Sequence, residues 1–453
     1  MANSSQQVDA SRIGELEAVV SAALAEARAS GASHAEADAS LQRGLTATVR
    51  LGQVDTIEYH RDRGLSLTVY FGQAKGSAST ADLRPAAVRE IVRKAAAIAR
   101  HTAADTCAGL ADPENLARLA LDLDLYHPWE LAPEQAVALA RECEAAGLDS
   151  DTRLRNSEGA TVTTHSGVRV YGNSHGFLQG VPSTSHSVSC ALVAQEGDDM
   201  QRDYWYSIAR RAQALEDSAQ IGRRAAQRAL RRLGARKLPT RRAPVLFAAE
   251  LARGLLGHFV AAIRGPSQYR RTSFLLEAAG TQVFPSFMQI AERPHLRQGL
   301  ASSAFDAEGV ATQDRQLVQD GVLQGYVLGS YSARKLGLRT TGNAGGIHNL
   351  LVTAGAPAAS GSFEQLLRRM GDGFYVTELM GPGVNAVTGD YSRGASGFWV
   401  ERGELSYPVH EVTVAGNLRH MLGGIVAVGS DVDAQGAIRT GSILVDAMTI
   451  AGE

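Results

Sequence analysis

Two glycine-rich polar strings hold the side chains of this chain best suited to contacting a ligand. One runs from Thr341 through Asn343, Gly345, Gly346 and His348 to Asn349; the other runs from Gly389 through Tyr391 and Arg393 to Trp399. Asn343, His348, Asn349, Tyr391 and Arg393 supply hydrogen-bond donors and acceptors, while Gly345 and Gly346 let another backbone approach closely. One reading makes both strings loops lining a groove for an extended peptide. The other makes them tight turns in a barrel-like sheet. Composition favours neither.

Other strings carry less chemistry. Gly172-Asn173-Ser174-His175-Gly176 matches the GxSxG pattern of a nucleophile elbow. That elbow needs a strand, a turn and a helix, and the residues that follow, Phe177 to Pro182, are not helical. A polar hairpin turn explains the string better. No GxxxxGK[ST] string is present, which excludes a P-loop at the motif level, and Gly381-Pro382-Gly383 lies between strands rather than before a helix. The 12 histidines are scattered without an HExxH. His258 and His348 each lack a second ligand at metal spacing, so both read as structural. Between residues 207 and 242 lie eleven basic residues against Glu216 and Asp217 alone, a net +9. This segment reads as a long helix with an apolar stripe from Ala209 to Leu233. It is either a patch for an acidic partner or a solvated face that pairs with acidic neighbours. It lacks aromatic residues that could stack on bases, so nucleic acid is not expected as a partner.

The elements that must position these residues follow from patterning. Asp9 to Ala29 and 83–102 read as amphipathic helices flanking strands within 34–79. Residues 103–132 are irregular, 133–147 is a helix opened by Pro133, and 161–172 and 185–197 are strands. A helix at 248–263 precedes a strand-rich stretch that reaches the C-terminus. Within it Arg402-Gly403 marks a hairpin turn. Residues 1–8 are polar and expected to be disordered. The whole is an α+β fold, with an N-terminal α/β region of helices on a mainly antiparallel sheet and a C-terminal strand-rich, barrel-like domain. Divisions are expected at 1–120, 121–240 and 241–453.

Composition narrows the setting. The 453 residues are 44% hydrophobic and 20% charged, enough to bury a core. With 45 basic and 47 acidic residues the chain has no global field for nucleic acid or an anionic membrane. The three cysteines form no CxxC pair, and neither a signal peptide nor a membrane span is apparent. A reduced, cytoplasmic protein is expected.

Residues 300–349, VTELMGPGVNAVTGDYSRGASGFW (376–399) and VTVAGNLRHMLGGIVAVG (412–429) resemble the TldD/TldE family, specifically its TldE (PmbA) branch. The resemblance spans essentially the whole chain. It implies a heterodimeric metalloprotease of the bacterial cytoplasm that cleaves unfolded or short peptides, linked to microcin precursor processing and antitoxin degradation. The family's older label, modulator of DNA gyrase, reflects that link. In TldD-type chains a helical HExxxH and a distal Cys hold zinc. The matching register in VLFAAELARGLLGHF (245–259) puts Ala248 and Arg253 at the two His positions and Ala249 at the Glu. No Cys follows Cys190, and Glu250 is one position off. Neither a methyl group nor a guanidinium can ligate a metal. The resemblance therefore implies a non-catalytic subunit with no cofactor of its own and a TldD-type partner carrying the zinc; whether a homodimer forms when that partner is absent stays open. The alternatives are a free-standing homodimeric binding or regulatory protein using the basic segment 207–242, and a hydrolase using Ser174 or an unrecognised metal set.

Overall fold

The structure, a computed structural model, describes residues 10–119 and 121–452. The expected disorder of residues 1–8 falls outside them. Helix α1 (Ile13–Ala29) leads into three strands, β1 (His34–Arg50), β2 (Gln53–Phe71) and β3 (Ala74–Thr80), and then α2 (Pro85–His101). After the irregular 103–132 stretch come α3 (Pro133–Leu148), β4 (Leu154–Asn173), β5 (Leu178–Glu196), β6 (Asp199–Ala209) and α4 (Ser218–Leu230). The six strands form one antiparallel sheet in the order β3-β2-β1-β4-β5-β6. It runs across position 120, because β1 pairs with β4 from Glu36–Asn173 to Val49–Ala160.

Alternation along β1 explains how one sheet carries four helices. Ala35, Ala37 and Ala39 pack with Leu16 and Val20 of α1 and Ile91 and Ala95 of α2. Further along the same strand, Leu45, Ala47 and Val49 pack with Val137 and Ala140 of α3 and Ile221 and Ala225 of α4. Both helix pairs lie on one face, side by side, because successive odd-numbered residues of a strand point the same way.

The expected long helix over 207–242 is not formed. β6 continues to Ala209, and α4 starts only at Ser218, where the Asp217 side chain accepts a hydrogen bond from the Gln220 N–H at 3.0 Å. Gly234 is left-handed at φ 74°, past the end of the helix. A cap in the middle of the window and a helix-terminating glycine near its end override the periodicity.

β7 (Arg241–Phe247) then leads into α5 (Ala249–Ile263) and α6 (Gly265–Tyr269). The C-terminal half adds β8 (Met288–Glu292), β9 (Arg315–Gln319), β10 (Val322–Leu323), α7 (Ser330–Leu336), β11 (Leu350–Ala354), β12 (Ser360–Gly361), α8 (Phe363–Met370), β13 (Gly373–Met380), β14 (Asp390–Glu401), β15 (Glu404–Asn417), α9 (Leu418–Gly423), β16 (Ile425–Gly429), β17 (Ile438–Arg439) and β18 (Ile443–Ala451). β7, β13, β14, β15 and β18 pair in sequence, and β18 pairs back onto β7, closing a five-stranded barrel. β8 to β11 and β17 form a second, smaller sheet. One apolar core joins the barrel, α5 and this sheet through Phe247, Phe259, Phe374, Val414 and Leu317. The β14–β15 turn is Arg402-Gly403, with both φ values positive at 52° and 81°, as a two-residue turn of primed type requires. The alternating segment GVLQGYVLGSY (321–331), within the stretch expected to be strand-rich, is mostly not a strand. Only Val322–Leu323 pairs, and Ser330 begins α7. Among the described residues no helix is long and apolar enough to cross a membrane.

α3 and α4 cross at Gly147 and Gly222. A Cβ on Gly222 would meet the Cys143 carbonyl oxygen at 1.8 Å. Gly222→Ala should cost about 2–3 kcal/mol through forced separation of the helices. Gly254→Ala, on an open face of α5 with nothing within 4 Å, should leave stability unchanged or raise it by up to about 1 kcal/mol. Urea unfolding of both variants checks the contrast.

Candidate functional site

Ala248, Ala249 and Arg253 fall where β7 turns into α5. Ala248 is fully buried between them, and its N–H donates to the Val376 carbonyl of β13 at 3.1 Å. Ala249 opens the helix without a side-chain cap. One turn on, Arg253 reaches out of the helix. Its Nε lies 3.2 Å from the Asp433 carboxylate, its NH1 donates to the Gln435 carbonyl at 2.9 Å, and its NH2 donates to the Tyr206 hydroxyl at 2.8 Å. The guanidinium thus ties α5 to β6 and to the 431–435 loop. Glu250 pairs with Arg228 of α4 at 2.7 Å.

Ala249, Glu250, Arg228, Asp433 and Gln435 border a cavity of about 580 Å³ between β6, α4, α5, β13 and the 431–435 loop. Trp205, Phe363 and Tyr375 give it aromatic walls. The Tyr375 ring packs on Phe363 and Phe398, and burial pushes its phenol well above the usual range. Arg224 stacks on Trp205 at 3.5 Å, and Arg231 lies over Phe398 at 5.0 Å. Asp431 is aimed by the Ser442 N–H and hydroxyl, which donate to its two oxygens at 3.0 and 2.6 Å. Among the described residues Arg231 has no carboxylate, and Asp431 no cation, at ion-pair distance. The cavity therefore presents flat apolar walls with one cation and one anion left over. Sequence reasoning missed it because Trp205 and Tyr206 sit at the end of a strand adjoining the supposed basic helix. The alternation of buried Asp203, Trp205 and Ser207 with the more exposed Tyr204 and Tyr206 was the available signal.

The first glycine-rich string is organised around two buried acids instead. Glu292 Oε1 accepts from the Asn343 side-chain amide at 2.8 Å and the His348 N–H at 2.7 Å, and Oε2 accepts from Arg315 at 2.6 Å. Burial pushes the Glu292 carboxyl upward, but His348 and Arg315 outweigh it and the net shift is downward. Asp306 accepts from the Ala344, Glu308 and Val310 N–H groups at 2.8–3.0 Å. Asn349, fully buried with φ 34°, accepts from the Ala301 N–H and donates to the Arg293 carbonyl and the Ser302 hydroxyl. Gly345 and Gly346, at φ 97° and 140°, supply the backbone freedom. Asn343 and Asn349 thus spend their side-chain amides within the protein, and His348 turns its backbone N–H and Nδ1 to Glu292. In the second string Tyr391 is buried edge-on to His258, and burial pushes its phenol up to about 12 although Arg393 pulls the other way. Arg393 donates to the Gly381 carbonyl at 2.9 Å. Burial holds His258 below the usual range. Among the described residues no hydrogen bond, ion pair or ring contact joins the two strings to each other, and the second reaches the cavity at Phe398, whose ring packs on Tyr375 and lies under Arg231.

Two further motifs resolve plainly. Ser174 lies in the β4–β5 turn, where its Oγ accepts from the Ala35 N–H at 3.1 Å, so it is a turn residue without a helix behind it. The basic segment is largely consumed internally. Arg228 pairs with Asp203 and Glu250, Arg232 with Asp203 and Glu378, and Lys237 with Glu411. Arg236 and Arg241 lie over Tyr407 and Trp399.

The two positions that the resemblance gives to the zinc-binding histidines carry the methyl group of Ala248 and the guanidinium of Arg253, and neither fits a metal. Among the described residues no three His, Cys, Asp or Glu side chains gather as a metal-binding group. Models of PmbA/TldA metallopeptidase domain 1, central domain and C-terminal domain match residues 35–99, 126–233 and 240–452. The metalloprotease PmbA of Escherichia coli O157:H7 is 50% identical over 448 residues, covering 99% of this chain and 98% of that one. The chain belongs to the PmbA/TldD metallopeptidase family. A metalloprotease PmbA homolog of Haemophilus influenzae is 48% identical, covering 97% of this chain and 96% of its own length. A TldD homolog of the same organism is 27% identical over 207 residues, 44% of this chain and 42% of that one. In structure, a Bacteroides thetaiotaomicron protein named for modulation of DNA gyrase superposes with a TM-score of 0.90 at 26% identity, covering 97% of this chain and 99% of that one. TldE of Thermococcus kodakarensis shares the fold, with a TM-score of 0.84 at 20% identity over 96% of this chain and 100% of that one.

Arg253→Ala would leave the nearly buried Asp433 unpaired and should cost about 2–3 kcal/mol, with faster proteolysis of the 431–435 loop. A pH experiment tests the acid under the glycine-rich string. Burial raises the Asp306 carboxyl to about 6. The unfolded value is about 3.9. The stability from the neutral acid is therefore present below about pH 4 and is lost as pH rises through about 6. Between pH 4 and 7 the stability of the wild type should fall relative to that of Asp306→Asn, by on the order of 2 kcal/mol in denaturant melts.

Proposed function

We propose that this chain is the non-catalytic, TldE-type subunit of a heterodimeric TldD/TldE-type metalloprotease. The catalytic zinc resides in a TldD-type partner, and the substrates are unfolded or short peptides of the microcin-precursor and antitoxin kind. The observation that carries this reading is Arg253. It is a permanent cation, ion-paired with Asp433, at a position where the family resemblance puts a ligand. A guanidinium has no lone pair to offer a metal, and its three tethers give the residue a structural use in place of a chemical one.

In this reading the 580 Å³ cavity beside Ala249 helps hold the peptide. Trp205 and Tyr375 offer flat surfaces that accept many side chains, while Arg231 and Asp431 can each take one opposite charge. Broad acceptance of this kind suits unfolded chains better than a single folded partner. The glycine-rich strings serve as scaffold that fixes the barrel and the smaller sheet. The three thiols are free, which accords with work in the reducing cytoplasm. A free-standing regulator built on the basic segment gains no support, because most of those side chains already face carboxylates or aromatic rings of this chain.

The test is a paired assay on an unstructured peptide, with metal content measured for each sample. This chain alone should show neither stoichiometric zinc nor cleavage, and its mixture with a TldD-type chain should cleave far faster than that chain alone. A mixture no faster than the TldD-type chain, or zinc and cleavage in this chain alone, overturns the reading.

A further inference from the structure

The cavity beside Ala249 keeps two charges in reserve. α4 and its C-cap bring Arg224, Arg228 and Arg231 to it, while α5 and the 431–435 loop bring Glu250, Asp431 and Asp433. Four of the six are spent within the protein. Arg228 holds Asp203 and Glu250, Arg253 holds Asp433, and Arg224 stacks on Trp205 with Glu216 3.9 Å away. Arg231 and Asp431 remain. The two Ser442 donors fix Asp431 in place, and the Phe398 ring steadies Arg231. Both charges act on Tyr375. Burial does most to raise its phenol, Glu250 and Asp431 raise it further, and Arg228 and Arg231 pull it down. The unspent cation and the unspent anion thus converge on one aromatic ring of the cavity wall.

We propose that this cavity binds short peptides with both termini free, taking the α-carboxylate on Arg231 and the α-ammonium on Asp431. The inference deepens the peptide-holding role proposed for the cavity and rests on it, but not on where the zinc resides. Charge and shape select the ligand class. A ligand of one sign would satisfy one group and leave the other enclosed without a partner, a cost that offsets the pair it makes. A zwitterion satisfies both. Trp205, Phe363 and Tyr375 then take the apolar side chains in between, so the ends are recognised more than the sequence. The volume of about 580 Å³ lies within the ~300–1,000 Å³ of small-ligand sites. Of unfolded chains and short peptides, only the short peptide presents both ends to one cavity.

The test is isothermal titration calorimetry of the full chain with alanyl-phenylalanine and alanyl-alanyl-phenylalanine, each free, N-acetylated and C-amidated. Against the wild type, either block should weaken binding by about tenfold, since each removes one charged partner. Arg231→Gln should weaken the free peptides and abolish the penalty of amidation while keeping that of acetylation. Asp431→Asn should do the reverse. The penalty retained in each variant also shows that its cavity is still folded. The proposal is overturned by free peptides that fail to bind at up to about 10 mM. Blocked forms that bind as tightly as free ones, or a variant that loses both penalties together, overturn it as well. The titration contains no TldD-type chain and no zinc, so its failure leaves the heterodimer reading to the paired assay.

Discussion

The pairing of β18 with β7 is the interaction on which the rest of the structure depends. β7 is a seven-residue strand with a parallel partner on one side and an antiparallel partner on the other. Without β18 the barrel would be an open sheet and β7 its edge. With it, the chain that emerges at Ala248 is held at a fixed point, and α5 has only one direction in which to leave. The start of α5, the Ala248–Val376 hydrogen bond and the cavity all inherit their positions from that closure. α5 is anchored by packing, because it sets Leu255, Leu256 and Phe259 into the largest apolar core among the described residues.

Charge joins the two halves where apolar contact is thin. Arg228 touches Asp203 of β6 and Glu250 of α5, Arg232 touches Asp203 and Glu378 of β13, and Arg253 runs from α5 to β6 and the 431–435 loop. Removal of one partner from such a set is far more damaging than its net contribution suggests, because a desolvated charge is left behind. The +9 segment is therefore better understood as half of an internal seam than as a surface for outside anions.

Much of this architecture was legible in the sequence for identifiable reasons. Pro133 and the strong amphipathic patterns of 83–102 and 248–263 located three helices, and Arg402-Gly403 located a hairpin, because each signal is local. The 207–242 segment misled because its apolar spacing was helical while Asp217 and Gly234 limited the helix to thirteen residues. The internal bonding of the first glycine-rich string was not legible because the two acids that engage it, Glu292 and Asp306, lie 38 to 56 positions away in the chain. The cavity was illegible for the same reason: its walls come from β6, α4, β13 and a loop near residue 433, and no local pattern announces that convergence.

The central position of β1 in its sheet has a consequence for the birth of the chain. Its neighbour on one side, β2, follows at once, but its other neighbour, β4, pairs at separations such as Val49 with Ala160 and Glu36 with Asn173. At ribosomal speeds of 5–20 residues per second, β1 waits roughly 6 to 25 s with that side open. The α1–β1–β2–β3–α2 unit can close its own core in that interval, but a row of unpaired backbone groups stays on display until the third hundred of residues is nearly reached. Long-range pairing of this kind slows folding and favours capture by chaperones. The nascent chain, more than the finished molecule, is where this sheet is vulnerable.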